Sequence, residues 1–143
     1  MATIRAGFTA SYIDESTEAV HNLDSDTLKM ALYDDNAVLG LATTAYSATD
    51  EIAGTGYSAG GATVALASGY PAQDAATGAK SYRFDTITWS GASFSARAGL
   101  LYNASKSNKA ICVLDFGGLR TVAASTFSIA FPNSLPPIIT VRG

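Results

Sequence analysis

Residues 94–102 read Phe94-Ser-Ala-Arg-Ala-Gly-Leu-Leu-Tyr102, with apolar or small side chains at every second position. This two-residue repeat is typical of a β-strand that packs one face against a core. A second apolar run, Ala110–Leu114, follows a polar six-residue connection and is too short and too β-branched for a helix. The two runs therefore predict a central antiparallel hairpin inside the stretch Phe84–Phe116. Its predicted large anchors are Trp89, Phe94, Tyr102 and Phe116.

Shorter apolar alternations lie on both sides of this hairpin. They predict strands at residues 27–33, 62–67, 80–89, 119–122, 127–131 and 138–141. In the first of these, Leu28, Met30 and Leu32 share one face; a short helix capped by Asp26 is the competing interpretation. Within 80–89 a bulge is predicted near Asp85 or Thr86, and Gly91 is predicted to end that strand.

Three segments outside these strands have a weaker pattern. Residues 4–13 predict an extended segment with Ile4, Phe8 and Tyr12 inward, and a short helical turn is predicted to begin at Thr49. Near the other end, Pro132, Pro136 and Pro137 are predicted to bound a loop.

The predicted fold class is mainly β. We expect a single-domain antiparallel β-sandwich or jelly-roll-like barrel of about eight or nine short strands, with at most one short helix. Residues 1–26 are predicted to form an N-terminal segment that acts as an interaction arm, and residues 27–143 the sandwich.

The low charge and high hydrophobic content of the chain limit the classes of partner that it can bind. Hydrophobic residues make up 48% of the 143 residues and charged residues only 15%, below the roughly 25% of an ordinary soluble domain. Such a surface suits a chain partly covered by neighbours, and equally a weakly charged monomer. The net charge of −3, with basic residues scattered singly, predicts no direct binding to nucleic acid or membranes. No run reaches the roughly 18 apolar residues of a membrane span, and residues 1–5 resemble no signal segment, so cytoplasmic synthesis is expected.

No residue pattern predicts catalysis or a cofactor. His21 is the single histidine, which excludes the usual zinc ligand sets within one chain, and it is predicted to face solvent. Cys112 is predicted to be a buried, inert thiol. The glycines of Gly54-x-Gly56-x-x-x-Gly60 miss the dinucleotide fingerprint by one residue and predict a loop in close contact with the sheet. An ion pair is predicted between Arg97 and Asp115. Catalytic, metal and cofactor sites are accordingly all predicted to be absent, and the protein is not expected to be an enzyme.

Several strings of the sequence carry a resemblance. They are Leu28-Lys-Met-Ala-Leu-Tyr33, Glu51-Ile-Ala-Gly-Thr-Gly-Tyr-Ser-Ala-Gly-Gly61, Phe94–Asn103, Ala110-Ile-Cys-Val-Leu-Asp-Phe-Gly-Gly118 and Thr126-Phe-Ser-Ile-Ala-Phe-Pro132. In these the chain resembles a group of small structural proteins encoded by tailed bacteriophages. The resemblance implies a virion component, first of all a head decoration (cement) protein that binds the major capsid protein or other virion proteins. It also implies a homo-oligomer, with a trimer favoured.

Two alternatives stay open. One is a tail, neck or fibre component of the virion; the other is a carbohydrate-binding β-sandwich module that uses loop tyrosines. The predicted partner contacts are Ile4, Phe8, Tyr12, Tyr46, Tyr57 and Tyr70, because amphipathic rings suit interfaces and the N-terminal segment has no obvious duty in the core.

Overall fold

The computed structural model describes residues 2–131 and 139–141. In chain order the elements are β1 (Thr3–Ile4), β2 (Gly7–Phe8), α1 (Ala10–Thr17), β3 (Leu28–Tyr33), β4 (Val38–Leu39), β5 (Ala62–Val64), β6 (Ala72–Gln73), β7 (Lys80–Tyr82), β8 (Ile87–Asn103), β9 (Lys109–Ile129) and β10 (Ile139–Val141). A five-stranded sheet has the order β2-β9-β8-β3-β5, a three-stranded sheet the order β10-β7-β6, and β1 pairs with β4. All pairs are antiparallel except β1 with β4. The mainly β class with one short helix is confirmed for the described part of the chain.

The predicted central hairpin is confirmed and is longer than predicted. β8 has 17 residues and β9 has 21, and they pair from Ile87 with Ile129 to Asn103 with Lys109. Gly91 was predicted to end a strand, but it lies within β8, in a register shift between Trp89 and Ala92. Its backbone φ is +58°. Because a bulge absorbs an extra residue and bends the strand, one continuous ribbon replaces several short strands.

The strand predicted at residues 27–33 is confirmed over Leu28–Tyr33. β3 pairs with β8 on one side and with β5 on the other, which leaves it almost wholly buried. Its alternate side chains enter two separate cores: Leu28, Met30 and Leu32 the larger, and Ala31 and Tyr33 the smaller. The sheet is therefore apolar on both faces, so each face needs a cover.

Different segments cover the two faces. The larger core includes Tyr12 from α1, Ile52 from the segment between β4 and β5, and Phe84. In the smaller core, Ala37 and Leu39 pack with Leu100 and Val113, and Ile4 packs against them. The layers resemble a sandwich in which a central sheet lies between a helical segment with loops and the β1–β4 pair.

Three further local predictions were wrong. The segment 4–13 is not extended throughout, since α1 begins at Ala10 and the Thr9 side chain caps it by accepting a hydrogen bond from the Tyr12 N–H at 3.2 Å. Residues 49–50 form a turn, not a helical turn.

The third error is the strand predicted at 80–89, which divides between β7 and β8 in different sheets. Between them, the Asp85 N–H donates to the Ala65 carbonyl, and the Arg83 carbonyl accepts from the Ala67 N–H, so this piece pairs elsewhere. The predicted strand at 138–141 is confirmed as β10, whereas the proline-bounded loop at Pro132, Pro136 and Pro137 lies outside the described residues.

Glycines allow the loop at 54–61 to lie against the sheet, as predicted. A Cβ on Gly61 would lie 1.8 Å from the Met30 carbonyl oxygen, and one on Gly54 would lie 2.5 Å from the Ser93 carbonyl oxygen. Any other residue at either position would collide with strand backbone.

Candidate functional site: a contact groove

A surface groove of about 600 Å³ lies beside β4. Residues 37–45 line it without a break, together with residues of β1 and the turn at 47–50. Its described lining is mostly alanine, glycine, threonine and aliphatic residues, and the two charged members are Arg5 and Asp50. The groove is thus an apolar, nearly uncharged concavity.

Exposed hydrophobic side chains concentrate around this groove. Val38 is 73% exposed and Leu41 is 44% exposed, and both line it. Ile13, 54% exposed, lies one helical turn after Ala10, whose N–H donates to the Leu41 carbonyl at 2.9 Å. Two of the four exposed large hydrophobics in the described chain therefore line the groove, and a third lies on the helix that is bonded to it, which is typical of an interaction surface.

The backbone fixes the position of Val38. The Thr3 N–H donates to the Ala37 carbonyl at 2.9 Å, and the Arg5 N–H donates to the Leu39 carbonyl at 2.8 Å. Because successive side chains of a strand point to opposite faces, Leu39 enters the smaller core and Val38 must point outward. The exposure of Val38 is therefore built into β4 and is not the accident of a loose loop.

Opposite charges lie at the two ends of β4. Arg5 is tied to the end at Leu39. At the start of β4, the Ala37 N–H donates to the Asp34 carbonyl, and the Asp34 N–H donates to the Asp50 carbonyl. Arg5 makes no ion pair with any residue of the described ranges, so it remains available to a partner.

The predicted N-terminal contact residues have duties in the core. Tyr12 is only 5% exposed, and Phe8 is half-buried and stacks on it with ring centroids 5.1 Å apart. Ile4 is half-buried against the smaller core, although its neighbours Thr3 and Arg5 line the groove. The premise that this segment has no core role was wrong, and partner contact by these three residues stays a prediction.

Two of the predicted loop tyrosines share one carboxylate. Tyr46 and Tyr57 donate from their hydroxyls to the two oxygens of Glu51, at 2.7 and 2.6 Å. The Gly60 N–H also donates to Glu51, at 2.7 Å. Burial, followed by the neighbouring Glu51 carboxylate, raises the pKa of Tyr46 to about 12 and raises the pKa of Tyr57 as well. Both phenols are therefore neutral donors at ordinary pH, and the network fastens the glycine-rich loop to the sheet.

Packing also limits what Tyr57 and Tyr70 can offer a ligand. The Tyr57 ring packs among aromatic side chains, with centroids 6.4 Å from Trp89 and 5.9 Å from Phe94. Tyr70 is half-buried, and the guanidinium of Arg83 lies 5.6 Å from its ring centroid. Neither ring is a free stacking platform in this conformation.

His21 does not face solvent, contrary to prediction. Its side chain is 2% exposed, with Nε2 2.8 Å from Glu15 and Nδ1 3.1 Å from Asn103 Nδ2. Because an amide nitrogen only donates, Nδ1 must accept and Nε2 must carry the proton that it donates to Glu15. Both ring nitrogens are thus occupied, which fits a structural tie better than a catalytic base.

The same tie includes two further charged residues. Lys109 Nζ lies 2.5 Å from Glu15, and Asn103 Nδ2 donates to Asp26 at 2.7 Å. Burial alone would raise the pKa of the Glu15 carboxyl, but its hydrogen bonds with Lys109 and His21 outweigh burial and lower it. The network joins α1 and the following turn to the closed end of the β8–β9 hairpin.

Two smaller predictions are confirmed. Cys112 is 5% exposed, and burial raises the pKa of its thiol to about 12. Arg97 forms the predicted ion pair with Asp115, and its Nε also lies 3.8 Å from Asp35.

Residues 2–131 and 139–141 contain no group of three or more histidine, cysteine or acidic side chains arranged to bind a metal ion. Across the same residues, no helix has both the length and the apolar character needed to cross a membrane. No family model, curated protein or solved structure matches the chain.

The sequence pattern did not predict Val38 and Leu41 as exposed contact residues. The available signal was the run Ala37-Val-Leu-Gly-Leu-Ala42, which is apolar without alternation inside an otherwise irregular stretch. Only pairing with β1 determines which of its side chains point outward.

Proposed function

We propose that the protein is a structural component of a bacteriophage particle, namely a head decoration protein that binds the assembled capsid shell. The observation that carries this proposal is the apolar, nearly uncharged groove beside β4 with the outward-facing Val38. The resemblance of strings within residues 28–132 to structural proteins of tailed phages supplies the biological setting.

Such a protein stabilises the shell through linkage. If it binds the assembled shell and not free capsid subunits, its binding free energy stabilises the assembled state by mass action. Val38, Leu41 and Ile13 would be buried on binding, and each fully buried aliphatic side chain contributes roughly 1.5–3 kcal/mol. Arg5 and the acidic end of β4 would fix the orientation of the partner, because complementary charges set register more than affinity.

A tail or neck location would use the same surface and differs only in the partner. The carbohydrate-binding alternative loses support, since it needs Tyr57 or Tyr70 as a stacking platform and both rings are engaged within the protein.

The test uses phage heads purified without this protein. Wild-type protein added to them is expected to co-sediment, and Val38→Asp to bind at least about tenfold more weakly, since a desolvated carboxylate opposes apolar contact. Leu119→Asp is the matched control, because Leu119 is 49% exposed and lies on β9, outside the groove.

Electron microscopy of the decorated particles then locates the protein on the head or the tail. Absence of the protein from every particle, or equal binding of wild type and Val38→Asp, would contradict the proposal. Binding to the tail alone would support the tail alternative instead.

A further inference from the structure

The five-stranded sheet ends on an open strand edge. β2 pairs with β9 only at Val113 and Cys112, whereas β8 pairs with the opposite side of β9 as far as Ile129. From Asp115 onward, no strand in the described ranges pairs with the outer side of β9. Unpaired edges of this kind are templates for another strand, and proteins usually blunt them.

The first part of this edge is blunted. Ala98 pairs with Asp115 and Ala96 with Arg120, so β9 advances five residues while β8 advances two, and the surplus forms a bulge. A second bulge lies between Val122 and Ser125, where Ala124 has φ +45°. Bulges of this kind interrupt the regular spacing that an incoming strand needs.

The last part of the edge has no such protection. Residues 125–129, which we call the edge segment, read Ser125-Thr-Phe-Ser-Ile129 and contain no charge, no proline and no glycine. From Ser125 to Ile129 the strand itself is regular, and Ser125, Thr126 and Ser128 are exposed. The segment is about 17 Å long, which is the length of an ordinary strand in a sheet.

We propose that the edge segment pairs antiparallel with the edge segment of a second copy of this chain, across a two-fold axis. Two five-stranded sheets would thereby join into one continuous sheet of ten strands. This inference does not rest on the proposed capsid function, because the groove involves β4 and the dimer involves β9.

The chemistry of the segment favours a second copy over another partner. An antiparallel pair of identical strands is self-complementary, since each backbone donor meets the equivalent acceptor of the partner. Serine and threonine side chains can hydrogen-bond across the pair, and no like charges face each other. The nearest charge on β9, Arg120, lies outside the segment, so the two copies of it fall at opposite ends of the pairing.

The first test is sedimentation equilibrium of the full chain over a range of concentrations. We expect a dimer for the wild type and a dimer dissociation constant at least about tenfold higher for Thr126→Lys, which places like charges near each other across the axis. The matched control is Thr63→Lys, an exposed position on β5 at the opposite edge of the same sheet. Far-UV circular dichroism of both variants verifies that they fold.

A second measurement locates the axis. Single cysteines at Ser125, Thr126 and Ser128 are oxidised separately, and the yield of disulfide-linked dimer should peak at one position and fall away from it. A protein that remains monomeric at every concentration, a trimer, or a dimer unaffected by Thr126→Lys would overturn the proposal. A trimer would instead favour the assembly that the sequence resemblance implies.

Discussion

Substituting Gly61 by alanine tests how the glycine-rich loop lies against the sheet. The added Cβ would lie 1.8 Å from the Met30 carbonyl oxygen, 2.5 Å from its carbonyl carbon and 2.7 Å from Ala31 Cα. All three are backbone atoms of β3, which is paired on both sides and cannot retreat. Gly61 also has φ +75°, a conformation that costs an alanine about 1–2 kcal/mol.

The expected loss combines two terms. Overpacking a well-filled interior typically costs 1–3 kcal/mol. Added to the backbone term, it gives a total of about 2–5 kcal/mol, a large share of the 5–15 kcal/mol that stabilises an ordinary domain. The glycine-rich loop would then separate from β3, or the whole domain would unfold at a lower urea concentration.

Urea unfolding followed by far-UV circular dichroism and by Trp89 fluorescence measures this loss. The matched control is Gly78→Ala, since Gly78 has φ +69° but no atom within 4 Å of an added Cβ. The control should show only the backbone term of about 1–2 kcal/mol. Equal losses in the two variants would refute the reasoning, because the close approach to β3 would then contribute nothing.

Three further predictions concern the cores and the buried polar network. Trp89→Ala should reduce the free energy of unfolding by about 3–5 kcal/mol in urea titrations, because the ring is 5% exposed; a near-zero change would contradict its core position. The lowered pKa of Glu15 implies stability that is present above the unfolded pKa of about 4.3 and lost as pH falls below it. Wild type should therefore lose more stability than Glu15→Gln between neutral and acid pH, and parallel pH curves would count against the network. Cys112 should react with a thiol reagent such as DTNB at pH 8 only after unfolding, since its thiol is buried with a pKa of about 12; rapid labelling of the native protein would show that it opens.

The sequence predicts the interior of the fold better than its covering. In β3 and the β8–β9 hairpin, alternation of apolar residues and the burial of those residues have the same cause, so the pattern identifies the strands. The division of residues 80–89 between two sheets was not predictable, because it depends on backbone pairing of Asp85 with Ala65, far from any local signal. The helix at Ala10–Thr17 was missed because its cap, Thr9, lies inside a loose alternation that also fits a strand.

The candidate groove was still harder to predict. The loop tyrosines were expected to contact a partner because amphipathic rings suit interfaces, yet Tyr57 packs against the larger core. His21 stands in a segment without a helix or strand repeat, and although Glu15 is near it in sequence, its other partner, Asn103, lies 82 positions further along the chain. The outward direction of Val38 follows from pairing with β1, which a single sequence does not reveal.

The pairing of β2 with β9 also constrains how the chain can be made. The Thr9 hydroxyl bonds a carbonyl at Ile111, 102 positions further along the chain, and β3, although it can pair with β5, lacks its longer partner strand until β8 has been synthesised. A ribosome would therefore release most of the polypeptide before the sheet can close, and such distant closures are slow. Until then much of the apolar surface of β3 stays exposed to solvent. We therefore expect chaperones to bind the nascent protein during that interval.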